Sequence, residues 1–419
     1  MSAGTHVEAL AGSRMWKPAR TSRNARVRGR TSYRELAAIT LLVAGTLSTD
    51  PAFAARRVLK FEDGRELQGQ VQRATIDRHG VAWIATYRQL FRVVHDRPQL
   101  VESSPSRERL LSVAPGGERY AWLDSRIAPY GHFAIELFDL NRPGTLIREL
   151  TSSRLPRAFG ALRWGRHGEL MIGVTALQDS EGLGGEFLYT FWNRDGHLRQ
   201  SMVLPGKRAA ILGDRGQSLL LLGESSADSY GIKAEQLWTV KGRFRKGVLG
   251  TTGQVALLNP AQRIDEVHVV QSGRAKVLKF SAPVHDLAIT PDGSRGVVAT
   301  GDGEMHLVEL GTGAVSVRQL PRLSILSRYY VTAIRFLRRD LLAVGAIQSY
   351  GPRPFERFYA GAVQVLKISG TRPSRSQRIF ETAIRLPEPA TWGPELEVTF
   401  GSDAFAAYTP AAAIFVKVQ

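Results

Sequence analysis

Residues 284 to 310 read VHDLAITPDGSRGVVATGDGEMHLVEL and set His285 beside Asp286, followed by Asp292, Asp302, Glu304 and His306. Imidazoles and carboxylates are the groups that ligate metals and move protons, so this stretch invites a metal or acid–base reading. The residues between them point elsewhere. Val284, Leu287 and Ile289 lead into Pro-Asp-Gly, Val297 and Val298 follow it, and Gly-Asp-Gly then leads into Met305, Leu307, Val308 and Leu310. That is strand, turn, strand, turn, strand. Gly and Asp stand where tight turns need positive φ or a side chain bonded to its own backbone. Turn chemistry accounts for Asp292 and Asp302 without a ligand.

The other reactive residues form no pattern. His79, His95, His132, His167, His197, His268, His285 and His306 show no H-x-x-x-H or H-E-x-x-H spacing, so they propose no histidine metal site. His79 and His167 share a turn context, DRHG and GRHG. G-x-S-x-G is absent, which removes the usual signature of an activated serine. The chain has no cysteine, excluding disulfides, a thiol nucleophile, a cysteine-ligated zinc and lipid attachment through cysteine.

The elements behind these residues repeat. The hairpin at 284–300 has counterparts in VQRATIDRHGVAWIAT (71–86), RLLSVAPGGERYAWLD (109–124), GALRWGRHGELMIGV (160–174), RAAILGDRGQSLLLLG (208–223) and RKGVLGTTGQVALLNP (245–260). VTAIRFLRRDLLAVGA (331–346) and LEVTFGSDAFAAYT (396–409) follow the same plan. Each has a short apolar strand, a tight polar turn and a second, more continuously apolar strand. Strand-like runs lie between them, such as FAIELFDL, EFLYTFW, EQLWTV and AVQVLKI. A unit of about 46 residues with four short strands is the signature of an all-β chain folded as a β-propeller. Eight blades are expected, with seven as the alternative. LEVTF, AFAAY and AIFVKV offer three strands of a last blade, and RRVLKF near the other end offers the fourth, which would close the ring without an open sheet edge.

The stretch 284–320, with its Pro-Asp-Gly turn, resembles the bacterial YVTN and WD-repeat-like propellers, and DRHGVAWIAT resembles blades of periplasmic sensor propellers. Propellers host binding modules and enzymes alike. Trp83, Trp122, Trp164, Trp192, Trp238 and Trp392 lie outside the Gly-Lys-x-x-Trp context of quinone-dependent propeller dehydrogenases and read as core. Asp179 and Glu181 are the one tight acidic pair in a long loop, short of the six to eight oxygens that a calcium-dependent lactonase or phytase needs. No cofactor, no metal and no catalytic residue is assigned.

The first 54 residues read as a signal peptide. Eight arginines and lysines between Arg14 and Arg34 precede the apolar run LAAITLLVAGTL, and TDPAFA ends in small residues at Ala52 and Ala54. Basic segment, short apolar segment and A-x-A site together predict cleavage after Ala54 and a periplasmic or secreted protein, with translation starting at Met1 or Met15. The run of 12 residues is well short of a membrane span. Residues 55–419, one propeller domain on this reading, carry 48 basic against 35 acidic residues, +13. A cationic exported protein meets anionic surfaces, but such charge alone confers no specificity, and no specific nucleic acid is expected.

Function is expected in insertions. DSRIAPYGH (124–132), TALQDSEGLGG (175–185), ESSADSYGIK (224–233) and AIQSYGPRPFERFYAG (346–361) read as long connections between second and third strands. In a propeller such loops emerge on one rim, where loops carry function. They bring Arg126, Tyr130, His132, Tyr230, Lys233, Tyr350, Arg353, Phe355, Arg357 and Tyr359, and Tyr and Arg are favoured at interface hot spots. The expectation is a non-enzymatic scaffold in the cell envelope, monomeric or a subunit of a complex, that binds an envelope protein or an anionic polymer. The rival is a lactonase- or phytase-like hydrolase working in the central funnel. It would place three or more carboxylates on the innermost strands.

Overall fold

Every hairpin of the repeat is present, and each belongs to a four-stranded antiparallel sheet. The computed structural model describes most of residues 55–418. Outside the described residues lie 1–54 and connecting segments that include 104–108, 114–118, 125–133, 178–185, 320–327, 351–356, 369–376 and 399–403. In the strands of 109–191 (Tyr120 apart), 204–212 and 348–360 the backbone alone is described. The sheets fall within the unit Thr49–Gln419. No helix among the described residues is long and apolar enough to cross a membrane.

We number the sheets along the chain. Sheets 1 to 7 span 71–103, 109–151, 156–205, 209–241, 244–279, 284–319 and 328–384, and in each the strands pair in chain order. Sheet 8 joins Glu395–Val398, Ala404–Thr409 and Ala412–Val418 to the strand Ala55–Glu62, which pairs antiparallel with Ala412–Val418 along its length. RRVLKF therefore supplies the fourth strand, as the sequence predicts, at the sheet's edge.

Packing explains the composition of each strand. Second strands such as Ala82–Thr86 and Ser218–Leu222 are buried along their whole length, because both faces of the sheet are covered, and so they read as continuous apolar runs. The two faces divide by alternation. Val298 packs with Leu257, Val267 and Val269 of sheet 5, while Val297 and Ala299 pack with Val331, Ile334 and Leu342 of sheet 7. Sheet 8 is covered likewise, by sheet 7 on one side and sheet 1 on the other. Among the described residues, fourth strands are more exposed than second strands. Arg274–Lys279 is exposed along nearly its whole length, and its Lys and Arg side chains discourage edge-to-edge pairing.

The turns are built as their residues predict. Asp292 Oδ1 accepts from Thr290 Oγ1 at 2.6 Å and from the backbone N–H and hydroxyl of Ser294 at 3.0 and 2.8 Å. Asp302 repeats this with Thr300 Oγ1 at 2.6 Å and the Glu304 N–H at 3.2 Å. Gly293 sits at φ +69° with Val255 3.1 Å from where a Cβ would lie, so both backbone and space require glycine there. Trp83, Trp192 and Trp238 are buried, in keeping with a core role. The Trp238 indole N–H donates across the sheet boundary to Gly253 O at 2.6 Å.

Two connections differ from the sequence reading. Residues 224–233 are no insertion: Ser226–Gly231 is the third strand of sheet 4, and EQLWTV falls in its fourth strand, Gln236–Lys241. Residues 346–361 are largely strand, since Leu341–Tyr350 and Arg357–Lys367 pair to their ends and leave 351–356 as the connection. The other two, 124–132 and 175–185, do join second to third strands.

Candidate functional site

Among the described residues, the first strands of sheets 1, 5, 6, 7 and 8 carry charged side chains whose bonds cross from sheet to sheet. In sheets 1, 5 and 6 a register shift follows the opening residue, between Val71 and Arg73, Phe244 and Lys246, and Val284 and Asp286, and in sheet 7 one lies further in, between Val331 and Ala333. Such a bulge re-aims the side chains beside it. Here charged residues follow the bulge and reach the neighbouring sheet.

Asp286 lies at the centre. It is 5% exposed. Its Oδ1 accepts from Lys246 Nζ of sheet 5 at 2.8 Å. Its Oδ2 accepts from the Ile334 N–H and from Arg335 Nη1 of sheet 7, at 2.9 and 3.1 Å. One carboxylate thus ties three first strands. Lys246 Nζ also donates to His285 O at 2.6 Å, and Arg245 donates to Val284 O and Asn259 Oδ1. Between sheets 8 and 1, Arg73 Nη2 donates to Glu397 Oε1 at 2.8 Å. Glu397, nearest of the charges, holds the Arg73 guanidinium above its usual pKa against the opposing effect of burial. Glu395 accepts from the Tyr408 hydroxyl at 2.8 Å. Each of these carboxylates has its own donor, and no three His, Cys, Asp or Glu residues gather to hold a metal among the described residues.

Of the residues expected on the loop rim, Tyr230 is in the third strand of sheet 4, half-buried, with Ser226–Gly231 around it. Lys233 lies in the turn to the fourth strand, at the end of the sheet opposite the connection of second to third strands. These two do not join the rim. Tyr350 ends the second strand of sheet 7 and stands in register with Arg357, which opens the third; Tyr359 follows in that strand. Arg126, Tyr130, His132, Arg353 and Phe355 lie outside the described residues, as do Asp179, Glu181, His79 and His167.

Sheet 7 is taller than its neighbour at this rim. In sheet 6 the first hairpin ends at Val284 opposite Thr300. In sheet 7 the matching pair, Val331 and Ala346, is followed outward by Tyr330–Ile347, Tyr329–Gln348 and Arg328–Ser349. Three further pairs raise the hairpin by about 10 Å at the rise of an extended strand.

The first-strand row escaped sequence reading, although one signal was present. FRKGVL, VHDLAI and VQRATI each put a charged residue at their third position. The partners lie 40 to 324 residues away, which no local pattern reveals.

Three histidines of the described sheets are held toward neutrality. Burial leads in lowering the pKa of His268, His285 and His306, and Arg245 and Lys246 add to it at His285. His268 and His306 pack on Phe244 and Phe280. A histidine whose folded pKa is depressed contributes stability above its unfolded value, about 6.5, and loses it as pH falls below that value, at no more than about 1.4 kcal/mol per pH unit for each. Asp292 and Asp302 act in a lower window. Partial burial alone would raise their pKa, but the turn hydrogen bonds outweigh it and lower both, so their contribution fades only below about pH 4. Urea midpoints should therefore fall between pH 7 and 5 and fall again below 4. His306→Phe, which keeps the packing on Phe280, should lessen the upper step and leave the part due to His268 and His285; a flat profile between pH 7 and 5 in the parent chain would refute the assignment.

No family model matches the chain, and no curated protein matches it in sequence. Among solved structures it is similar to the C-terminal WD40 domain of Sif2, with TM-score 0.54 and 12% identity over 86% of this chain and 99% of that one. It is also similar to the Cps50 (Swd1) β-propeller domain of Myceliophteria thermophila, with TM-score 0.48 and 10% identity over 88% of this chain and 100% of that one. The likeness to the Sif2 domain shows the fold alone, an all-β propeller.

Proposed function

We propose that the chain is an exported, non-enzymatic β-propeller of the bacterial YVTN kind that serves as a binding scaffold in the cell envelope. On this reading the eight sheets are eight blades, the strand Ala55–Glu62 closes the ring in the last one, and residues 1–54 are removed on export. The partner is an envelope protein or an anionic polymer. Fold alone does not choose between a scaffold and an enzyme. The observation that carries the choice is the raised hairpin of sheet 7, whose backbone carries Tyr350 and Arg357 about 10 Å beyond the end of sheet 6. Pro352 and Pro354 limit the freedom of the 351–356 connection, so less entropy is lost when it is held by a partner.

Tyr350→Ala or Arg357→Ala should weaken capture of the partner from envelope extract, or of lipopolysaccharide vesicles, by about 2 kcal/mol, near thirtyfold. On this reading stability should change by less than about 1 kcal/mol. If the hairpin serves packing alone, the order reverses: stability falls and capture persists. Unchanged capture by both variants at physiological salt would remove this rim from consideration.

A further inference from the structure

We propose that Lys246 and Arg335, steadied by Asp286 between them, form an oxyanion-binding site on the first strands of sheets 5 and 7, taking a phosphate or carboxylate group of a small ligand. Two cationic side chains share one carboxylate, and Arg245 donates to the neighbouring Val284 O. Positive charge therefore exceeds negative at a point where three sheets meet.

Depth separates the partners. The Asp286 side chain is 8% exposed, whereas Lys246 and Arg335 are 40% and 45% exposed. The carboxylate is sunk beneath the cations, and both its oxygens are engaged by donors. It orients the cations from below, and one negative charge set against two positive ones leaves the group net positive toward an incoming anion. Arg335 spends Nη1 on Asp286 and on Ile334 O, at 3.1 and 2.6 Å. Among the described residues its Nε and Nη2 have no partner. Those two N–H groups form the planar fork that grips an oxyanion in a bidentate manner, with Lys246 adding a point charge alongside. Cations already fixed by a shared carboxylate lose little freedom on binding.

Access also fits. Asp286 pairs with Ala299, the next register pair inside the Val284–Thr300 end of the hairpin, so the site opens near the rim where second strands turn into third. His285, in the bulge beside it, stacks on Tyr330 with ring centroids 6.5 Å apart. Burial, Arg245 and Lys246 all hold its imidazole toward the neutral form, leaving the anion to the two fixed cations.

The test is calorimetric titration of the full chain with inorganic phosphate and with citrate, at pH 7.5 and at ionic strength matched with sodium chloride. Saturable binding of one equivalent is expected, weakened at least tenfold in Arg335→Gln. Binding of phosphate alone assigns a phosphoryl ligand, and binding of citrate alone a carboxylate one. Neither anion exceeding chloride overturns the site, as does undiminished affinity in a folded Arg335→Gln. Should that variant not fold, Arg335→Lys replaces it. It keeps a charge near Asp286 but removes the fork, and affinity should fall several-fold, with unchanged affinity again overturning the proposal. Replacing 351–356 by a Gly-Ser turn leaves oxyanion binding intact, so this site and the hairpin reading stand or fall separately.

Discussion

Deletion of residues 55–62 should lower unfolding stability by roughly 5 kcal/mol or more, a large share of the 5–15 kcal/mol that a domain has. The strand contributes on both faces of sheet 8. Phe61 is buried against Phe415, with ring centroids 6.1 Å apart, and joins the core shared with sheet 1; Leu59 packs on the same side. Val58 packs on the other side, against the core shared with sheet 7. Removing a buried Phe side chain alone costs about 3–5 kcal/mol, and the ladder to Ala412–Val418 is lost as well. The deletion would also bare the edge of Ala412–Val418, a run of AAIFVKV, and an exposed apolar edge invites aggregation. Urea denaturation of the shortened chain should show a lower midpoint, and a synthetic peptide of residues 55–62 should restore part of it. An unchanged midpoint without the peptide would mean that sheet 8 is held to its neighbours by other means.

What the sequence made legible follows the range of each signal. Thr-Pro-Asp-Gly-Ser-Arg declares its turn within six residues, because Asp292 bonds to Thr290 and Ser294 beside it. All eight hairpins were readable for that reason. The strand Ser226–Gly231 was not. SADSYG has the composition of a loop, yet it is mostly buried, because Asp228 is satisfied by Ser226, Thr239 and Gln236, and Ser229 by Gly253. A buried polar strand is stable only when such bonds are made, and some of the partners come from other strands and another sheet. The same limit hid the candidate site. Asp286 was visible as a titratable group beside His285, but its role depends on Lys246 and Arg335, which lie 40 and 49 residues away. Sheet 7's extra height was likewise read as a long loop, since Tyr350 and Arg357 show a strand only once they are paired.

Asp286→Ala should cost about 3 kcal/mol, the largest effect expected of any single charged residue in the first strands. The two cations account for little of this, since both are more than a third exposed and regain water when the carboxylate is gone. The backbone N–H of Ile334 cannot do so. Ile334 is fully buried, and its N–H donates to Asp286 Oδ2 at 2.9 Å; a buried donor left without an acceptor costs roughly 1–3 kcal/mol. Asp286→Asn keeps an acceptor oxygen for Ile334 while removing the charge, so it should cost less, about 1–2 kcal/mol. The ranking is the diagnostic part. If the N–H of Ile334 dominates, Ala is clearly worse than Asn, and Lys246→Met added to Asp286→Asn changes little more. If the ion pairs dominate, Asn and Ala are equal. Guanidinium midpoints at constant m-value would read both cases, and an Asp286→Ala chain within about 0.5 kcal/mol of the parent would show that the three first strands are held together without this carboxylate.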